Sequence, residues 1–130
     1  MPTVRLESCP EFTAGDGCRL REILHPDRAD LALRYSLAHA TVAPGQTAAL
    51  HLLTTSEVYY ILEGQGRMSV DGVRSDVGPG DTVYIPPNAR QSITNTGTDS
   101  RTFLCIVDPA WRVEDETILA QDRQQGEGAA

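Results

Sequence analysis

Short hydrophobic runs recur along the chain, and most of them are bounded by glycine or proline. Residues 57–62 (EVYYIL) form the clearest run, which is apolar on both faces and stops at Gly64. From Pro44 to Gly97 a glycine or proline returns every few residues between β-branched and aromatic runs, and the helical signal is weak throughout. This spacing predicts an all-β sandwich or barrel.

The strand pattern divides the chain into a core and two flanking segments. Nine strands are predicted, at residues 18–24, 34–42, 48–53, 57–62, 65–70, 73–77, 82–85, 91–95 and 102–107. Asp71-Gly72 predicts a two-residue hairpin turn, because both central residues of a type I′ turn need positive φ. A short helical turn is expected over residues 27–33, and a short helix or an extended arm over 113–120. We expect an N-terminal strand and arm at 1–33, a barrel core at 34–108, and an extension at 109–130 whose last ten residues are disordered.

Composition narrows the class of protein. With 130 residues the chain suits one domain, and no apolar run is long enough for a membrane helix or a secretory leader. A net charge of −7 argues against nucleic acid as a partner. The chain has no lysine, which excludes Schiff-base and P-loop lysine chemistry. Three cysteines without a CxxC pair suggest reduced thiols and a cytoplasmic location.

The chemistry is expected around a histidine and a glutamate on neighbouring strands. His51 is followed six residues later by Glu57, which begins the most apolar strand. A carboxylate that enters a β-core is costly unless it is paired or bound to a cation. A histidine and a carboxylate that point into one barrel therefore suggest a metal site. The alternatives are that Glu57 caps a loop and that His51 is a hydrogen-bonded core residue.

Two glycine-bounded motifs carry a resemblance to a known family. The first has Gly45, His51, Glu57 and Gly64 at the expected spacing, and the second has Gly80, Pro86 and Asn95. Over residues 34–107 the chain resembles the small single-domain cupins. The resemblance implies a jelly-roll barrel, or double-stranded β-helix, of two antiparallel sheets that forms a homodimer. In such dimers an N-terminal strand, here within residues 5–24, adds to the partner's sheet.

The resemblance also implies a metal centre, although two of the usual ligand positions are occupied by other residues in this chain. Metal-binding cupins hold one divalent ion through two histidines and a glutamate of the first motif and a histidine of the second. Leu53 and Gln91 stand at two of these positions here. The implied ligands are therefore His51, Glu57 and Gln91, around Fe, Mn, Zn or Ni, with Glu57 and Gln91 also as catalytic groups.

Strand parity predicts the rest of the pocket. The residues that share a face with these groups are Leu53, Tyr59, Ile61, Ile93 and Cys105. His39 would face His51 if residues 34–42 and 48–53 paired as a hairpin about Pro44-Gly45. If the chain crosses to the other sheet at that corner, His39 lies elsewhere.

The functional hypothesis is a metal-dependent enzyme that acts on a small oxygenated molecule, of isomerase, dioxygenase or lyase type. The alternative is a non-catalytic barrel that binds a small molecule at an eroded metal site. The expected partners are a small-molecule ligand and a second copy of the chain, without nucleic acid or membrane.

Overall fold

The computed structural model describes residues 3–120, so the terminal segment predicted to be disordered lies outside the described residues. Regular structure within this range is almost entirely strand. The strands are β1 Glu11–Thr13, β2 Arg19–Leu24, β3 Ser36–Val42, β4 Leu50–Leu53, β5 Ser56–Glu63, β6 Gly66–Val70, β7 Val73–Val77, β8 Thr82–Ile85, β9 Gln91–Asn95, β10 Arg101–Asp108 and β11 Glu116–Ala120. Two single 3₁₀ turns, Leu6–Ser8 and Val113–Asp115, complete the described elements. No helix in the described range is long and apolar enough to cross a membrane.

The strands form two antiparallel sheets, which confirms the predicted all-β jelly-roll barrel. The six-stranded sheet has the order β1-β2-β3-β10-β5-β8, and the five-stranded sheet has the order β11-β4-β9-β6-β7. Consecutive strands β3 and β4 lie in different sheets, and the corner between them contains Gly45 with a φ of +76°. Glycine tolerates this left-handed conformation, which lets the chain turn sharply from one sheet to the other.

The predicted hairpin joins β6 and β7. Asp71 and Gly72 both have positive φ, at 50° and 82°, and Val70 pairs directly with Val73. Both positions of the turn therefore have the conformation that the Asp-Gly pair was expected to supply.

One segment differs from the sequence prediction, and in another the structure has the extended arm, which was one of the two alternatives. Residues 27–33 form turns and bends without the expected helical turn. Residues 113–120 form a 3₁₀ turn and then strand β11, which pairs with β4. This strand is preferred over a helix because β4 offers it a free edge, and its backbone groups gain partners there.

The N-terminal strands are used within the chain itself. β1 pairs with β2, and β2 pairs with β3, so this segment extends the six-stranded sheet. The homodimer and the domain boundaries stay predictions.

The barrel interior is divided along its length. At one end the space is filled by the buried side chains of Val42, Ile61, Met68, Val77 and Ile93. At the other end, where β5 begins and β10 finishes, the side chains leave a cavity. The fully buried Arg101 lies at the filled end, where its Nη1 donates to the Val77 carbonyl.

Candidate functional site

The cavity has a volume of about 280 Å³, and its wall is mostly apolar. It is large enough for a small organic molecule. The polar and charged side chains that line it are Thr13, Asp16, Glu22, Arg28, Ser36, His51, Glu57, Tyr59 and Glu116. Both sheets contribute to the wall, and so do segments that come before and after the barrel core.

Glu57 is a buried carboxyl group in the cavity wall. Its place on β5 is opposite Ile85 and Val107, so apolar side chains surround it, and only 7% of the residue is exposed. The pKa of Glu57 is raised to about 8, mainly by burial; the hydrogen bond from Gln91 lowers the pKa, and the nearby carboxylates of Asp16 and Glu116 raise it. Glu57 is therefore protonated at neutral pH, which removes the cost of an isolated buried charge.

A chain of hydrogen bonds fixes the orientation of Glu57. The Tyr59 hydroxyl donates to Gln91 Oε1 at 2.9 Å, and Gln91 Nε2 donates to Glu57 Oε1 at 2.9 Å. Because the amide oxygen of Gln91 accepts the hydrogen bond from the Tyr59 hydroxyl, the amide nitrogen of Gln91 faces Glu57. The other carboxyl oxygen, Oε2, can then carry the acidic proton.

His51 presents one ring nitrogen to the cavity. It lies on β4, directly opposite Gln91 on β9, and is 3% exposed. Its Nδ1 is 2.9 Å from the Ala49 carbonyl oxygen. A carbonyl oxygen only accepts hydrogen bonds, so Nδ1 carries a proton and donates to Ala49, and Nε2 is the ring nitrogen that faces the cavity.

Two carboxylates that the sequence analysis missed stand around His51 Nε2. Asp16 Oδ2 is 3.8 Å away and Glu116 Oε2 is 4.0 Å away. Asp16 is fixed in the turn before β2, where its Oδ1 accepts the Cys18 amide at 3.0 Å and its carbonyl accepts the Ala49 amide at 2.8 Å. Glu116 is placed by β11, where it pairs with Leu53.

A local signal could have singled out Asp16, since it lies between two glycines in a turn. Its meeting with Glu116, one hundred residues later in the chain, follows only from the packing of β11 beside β4. No local pattern encodes that contact.

The expected metal ligands do not fit a metal ion as they are arranged. Gln91 is absent from the cavity wall, and its amide is already engaged with Tyr59 and Glu57. Across residues 3–120, no three His, Cys, Asp or Glu side chains form a group that could hold a metal ion.

The five pocket positions predicted by parity fall into two groups. Leu53, Tyr59 and Cys105 line the cavity. Ile61 and Ile93 point inward as expected but lie in the filled half of the barrel, so they do not reach the cavity. The alternation of residues along a strand determines which face a side chain is on, but it does not determine the position of that side chain along the barrel.

His39 lies outside the cavity wall. β3 pairs with β2 and β10, and the chain crosses to the other sheet before β4, so His39 has Arg21 and Leu104 as its strand neighbours. Its position alternates with Ala38 and Ala40, which do line the cavity. Burial lowers the pKa of His39, and the charge of Arg21 lowers it further.

Two thiols in the cavity wall are unsuited to nucleophilic chemistry. Cys18 and Cys105 are both buried, and burial raises the pKa of each thiol above its ordinary value. A thiol rather than a thiolate is a poor nucleophile, so these residues act as small apolar groups.

The mouth of the cavity carries an ion pair and aromatic side chains. Arg28 Nη1 lies 3.2 Å from Glu22 Oε1, with most of the arginine side chain exposed. Phe12 and Trp111 also line this region. Trp111 is fixed through its backbone, because its amide donates to Ser36 Oγ and its carbonyl oxygen lies 2.7 Å from His25 Nε2.

Comparison with known proteins places the chain in a family. Residues 38–107 match the Cupin_2 family, described as a cupin domain. An uncharacterised protein of Methanocaldococcus jannaschii is 42% identical over 109 residues, which cover 83% of this chain and 86% of that protein.

Solved structures share the fold. Streptomyces Pac13, a nucleoside dehydratase, superposes with a TM-score of 0.76 at 20% identity, covering 93% of this chain and 92% of that chain. A predicted oxalate decarboxylase from Thermotoga maritima has a TM-score of 0.73 at 22% identity, covering 83% and 99% of the two chains. With the family match over the barrel core, these findings show that the chain belongs to the cupin superfamily, as a small Cupin_2-type domain protein.

Proposed function

We propose that the protein is a proton-transfer enzyme of the lyase or isomerase class, with Glu57 as its acid–base group and a small oxygenated molecule as substrate. The observation that carries the proposal is the buried carboxyl group of Glu57 in the wall of an apolar cavity, where burial raises its pKa. A general acid works best when its pKa lies near the working pH, and a value of about 8 meets that condition.

In the lyase form of the reaction, Glu57 Oε2–H gives its proton to a substrate hydroxyl group. The carbon–oxygen bond breaks, and the hydroxyl leaves as water. The Glu57 carboxylate then takes a proton from the adjacent carbon, whose electron pair forms the carbon–carbon double bond. The residue returns to its starting state, so one group serves both steps.

Gln91 and Tyr59 are positioning residues in this scheme. The Gln91 amide donates to Glu57 Oε1, which stabilises the carboxylate that forms when the proton leaves. The Tyr59 hydroxyl holds the amide in the orientation that makes this possible. Pac13, whose fold is shared, is a nucleoside dehydratase, and a related structure contains uridine, so elimination of water from a nucleoside is one reaction to test.

Turnover is tested by incubating the protein in D₂O with nucleosides, aldoses, hydroxy acids and amino alcohols. Mass spectrometry then detects the loss of water or the uptake of deuterium at carbon. Glu57→Gln keeps the shape of the side chain but cannot donate the proton, so we expect the rate to fall by about 100-fold or more. Glu63→Gln, an exposed change on the same strand, is the matched control and should leave the rate unchanged.

An active Glu57→Gln variant would contradict the assignment of Glu57. Binding of panel compounds with neither water loss nor deuterium uptake would favour the second candidate, a non-catalytic binding barrel. The observation behind that candidate is the same apolar wall, which can hold a ligand without transforming it.

A further inference from the structure

The outer face of the six-stranded sheet carries a continuous apolar surface. Its residues alternate along each strand with residues that face the cavity, such as Ala38 and Ala40 on β3, so they point away from the barrel. The pairing of the strands places five of them in one row across β2, β3, β10, β5 and β8, and two more in the next row. The row of five consists of Leu24, Leu37, Ile106, Val58 and Tyr84, and the next row adds Leu104 and Tyr60. We call these seven residues the outer patch.

The outer patch is accessible to solvent in the single chain. None of its seven residues is buried, and Tyr60 and Tyr84 are 43% and 63% exposed. The outer face of the five-stranded sheet differs, because Arg67 and Ser69 of β6 lie there, on either side of the buried Met68. A contiguous exposed apolar surface on one sheet alone marks a site of interaction with another protein surface.

Charges of opposite sign lie at the two sides of the outer patch. Arg21 lies on β2, opposite His39, whereas Glu63 lies on β5, opposite Thr102. Within the part of the chain that the structure describes, neither charge has an ion-pair partner, although Arg21 Nη1 donates to the Cys9 carbonyl oxygen. In the order of the sheet, β2 and β5 are equally far from the midline between β3 and β10.

We propose that the outer patch is the interface of a homodimer, in which a second copy of the chain packs its own outer patch against it. The two copies are related by a two-fold axis that runs parallel to the strands, along the midline between β3 and β10. This axis places β2 of one copy over β5 of the other. Arg21 then lies beside the partner's Glu63 and over the ring of the partner's Tyr60, where a cation is favourable.

The apolar row is also complementary to itself about this axis. Leu37 lies over the partner's Ile106, and Leu24 lies over the partner's Val58. Two sheets that pack face to face in this way keep their strand directions within about 30° of each other. A two-fold dimer requires such self-complementarity, because the same surface is used by both copies. This requirement favours a second copy over an unrelated partner.

This arrangement differs from the dimer that the sequence resemblance implied. In that dimer an N-terminal strand adds to the partner's sheet, but β1 and β2 already pair within their own sheet. The outer patch also lies on the opposite side of β5 from Glu57, since Val58 follows Glu57 directly. The interface is therefore independent of the proposed reaction.

Sedimentation equilibrium of the full chain at micromolar concentration tests the interface. We expect the wild-type protein to have twice the mass of one chain. Leu104→Glu and Ile106→Glu each place a carboxylate at the centre of the apolar surface, so each should weaken association by about 100-fold or more. Val73→Glu, the same kind of change at a residue that is 72% exposed on the β6–β7 hairpin, is the matched control and should remain dimeric.

Reversal of charge tests the axis. Arg21→Glu and Glu63→Arg each bring like charges together across the interface, so each should weaken the dimer by about tenfold, and the double variant should restore it. Three strand spacings of about 4.8 Å separate β2 from β5 within one chain, so the restoration must come from the partner. Glu63→Gln should stay dimeric, because an exposed ion pair contributes little.

Three outcomes would overturn the proposal. The first is a wild-type protein that is monomeric throughout the concentration range. The second is a dimer that persists in both Leu104→Glu and Ile106→Glu, which would favour addition of an N-terminal strand to the partner's sheet. The third is a double charge variant that associates no better than the single variants. Circular dichroism shows which variants fold, and if the two glutamate variants do not, the charge reversals decide the test.

Discussion

At the residue scale, the site contains a series of hydrogen bonds from Tyr59 through Gln91 to Glu57. The Tyr59 hydroxyl is the first donor, and it determines which groups donate and which accept in the rest of the series. Tyr59 is buried against Phe103, with ring centroids 4.5 Å apart, and its hydroxyl can reach only inward groups. Its donation to Gln91 Oε1 turns the amide nitrogen toward Glu57. Burial raises the pKa of Glu57, so its carboxyl group is neutral. Each donor in the series of hydrogen bonds therefore faces an acceptor.

Tyr59→Phe should therefore destabilise the protein without changing its packing. The ring stays against Phe103, but Gln91 Oε1 loses its donor in a buried position. We expect the free energy of unfolding to fall by about 1–2 kcal/mol. Urea denaturation measures the change, and Tyr84→Phe, at a tyrosine that is 63% exposed, is the control expected to have no effect. A loss as small as that of the control would mean that the hydrogen bond contributes nothing.

The sequence could place part of this site. The glycine spacing and the apolar run after Glu57 were enough to predict that His51 and Glu57 face one barrel. The contact of His51 with Asp16 and Glu116 could not be predicted, because it joins three segments that are far apart in the chain. The role of Gln91 was also hidden, since its orientation depends on a tyrosine on another sheet.

At the element scale, the alternation of residues along a strand predicts which face of the sheet a side chain lies on. How far along the barrel it lies, and so whether it reaches the cavity, depends on the packing of the strands. Along β5, Glu57 and Tyr59 reach the cavity, whereas Ile61 on the same face is part of the filled core. The orientation of His39 depended on whether β3 and β4 share a sheet, and local sequence does not decide that. At the filled end, β6 lies against the buried Arg101, and Gly66 leaves room for that side chain.

Gly66→Ala tests this close approach. An added Cβ would contact the Arg101 guanidinium and lie 2.6 Å from the Thr94 carbonyl oxygen, so backbone as well as side chain must move. Overpacking of this kind costs about 1–3 kcal/mol, and we expect a loss of that size in chemical denaturation. Gly97→Ala, whose Cβ would meet its nearest atom at 3.5 Å, should be close to neutral. Equal stability of the two variants would show that β6 can shift away from Arg101 at little cost.

At the scale of the whole molecule, the last strand of the barrel core ends at Asp108. The wall of the cavity also needs residues that come before and after this core. The family match covers residues 38–107, while Asp16 and Glu116 come from the segments on either side of it. The turn before β2 and strand β11 meet over the cavity, where a Cβ on Gly15 would lie 3.4 Å from Ile118. The spacing of glycines and apolar runs predicts the shared barrel, whereas the wall that distinguishes this cavity comes from the flanking segments.

The pH dependence of stability follows from Glu57 and belongs to the folded molecule as a whole. The pKa of Glu57 is raised by burial from its ordinary value of 4.5 to about 8. Between these two values the folded state keeps a proton that the unfolded state has released. The free energy of unfolding therefore falls as the pH rises from 4.5 to 8, by at most about 1.4 kcal/mol per pH unit from this group.

Urea denaturation at several pH values from 5.5 to 8 measures this slope. In Glu57→Gln the side chain cannot titrate, so the variant should lose less stability than the wild-type protein over the same range. Other titrating groups contribute equally to both proteins, and the difference between the two slopes isolates Glu57. Glu63→Gln should follow the wild-type curve, because its side chain is exposed. Parallel curves for wild type and Glu57→Gln would mean that Glu57 is ionised in the folded protein, and the acid that the proposed reaction requires would then be missing.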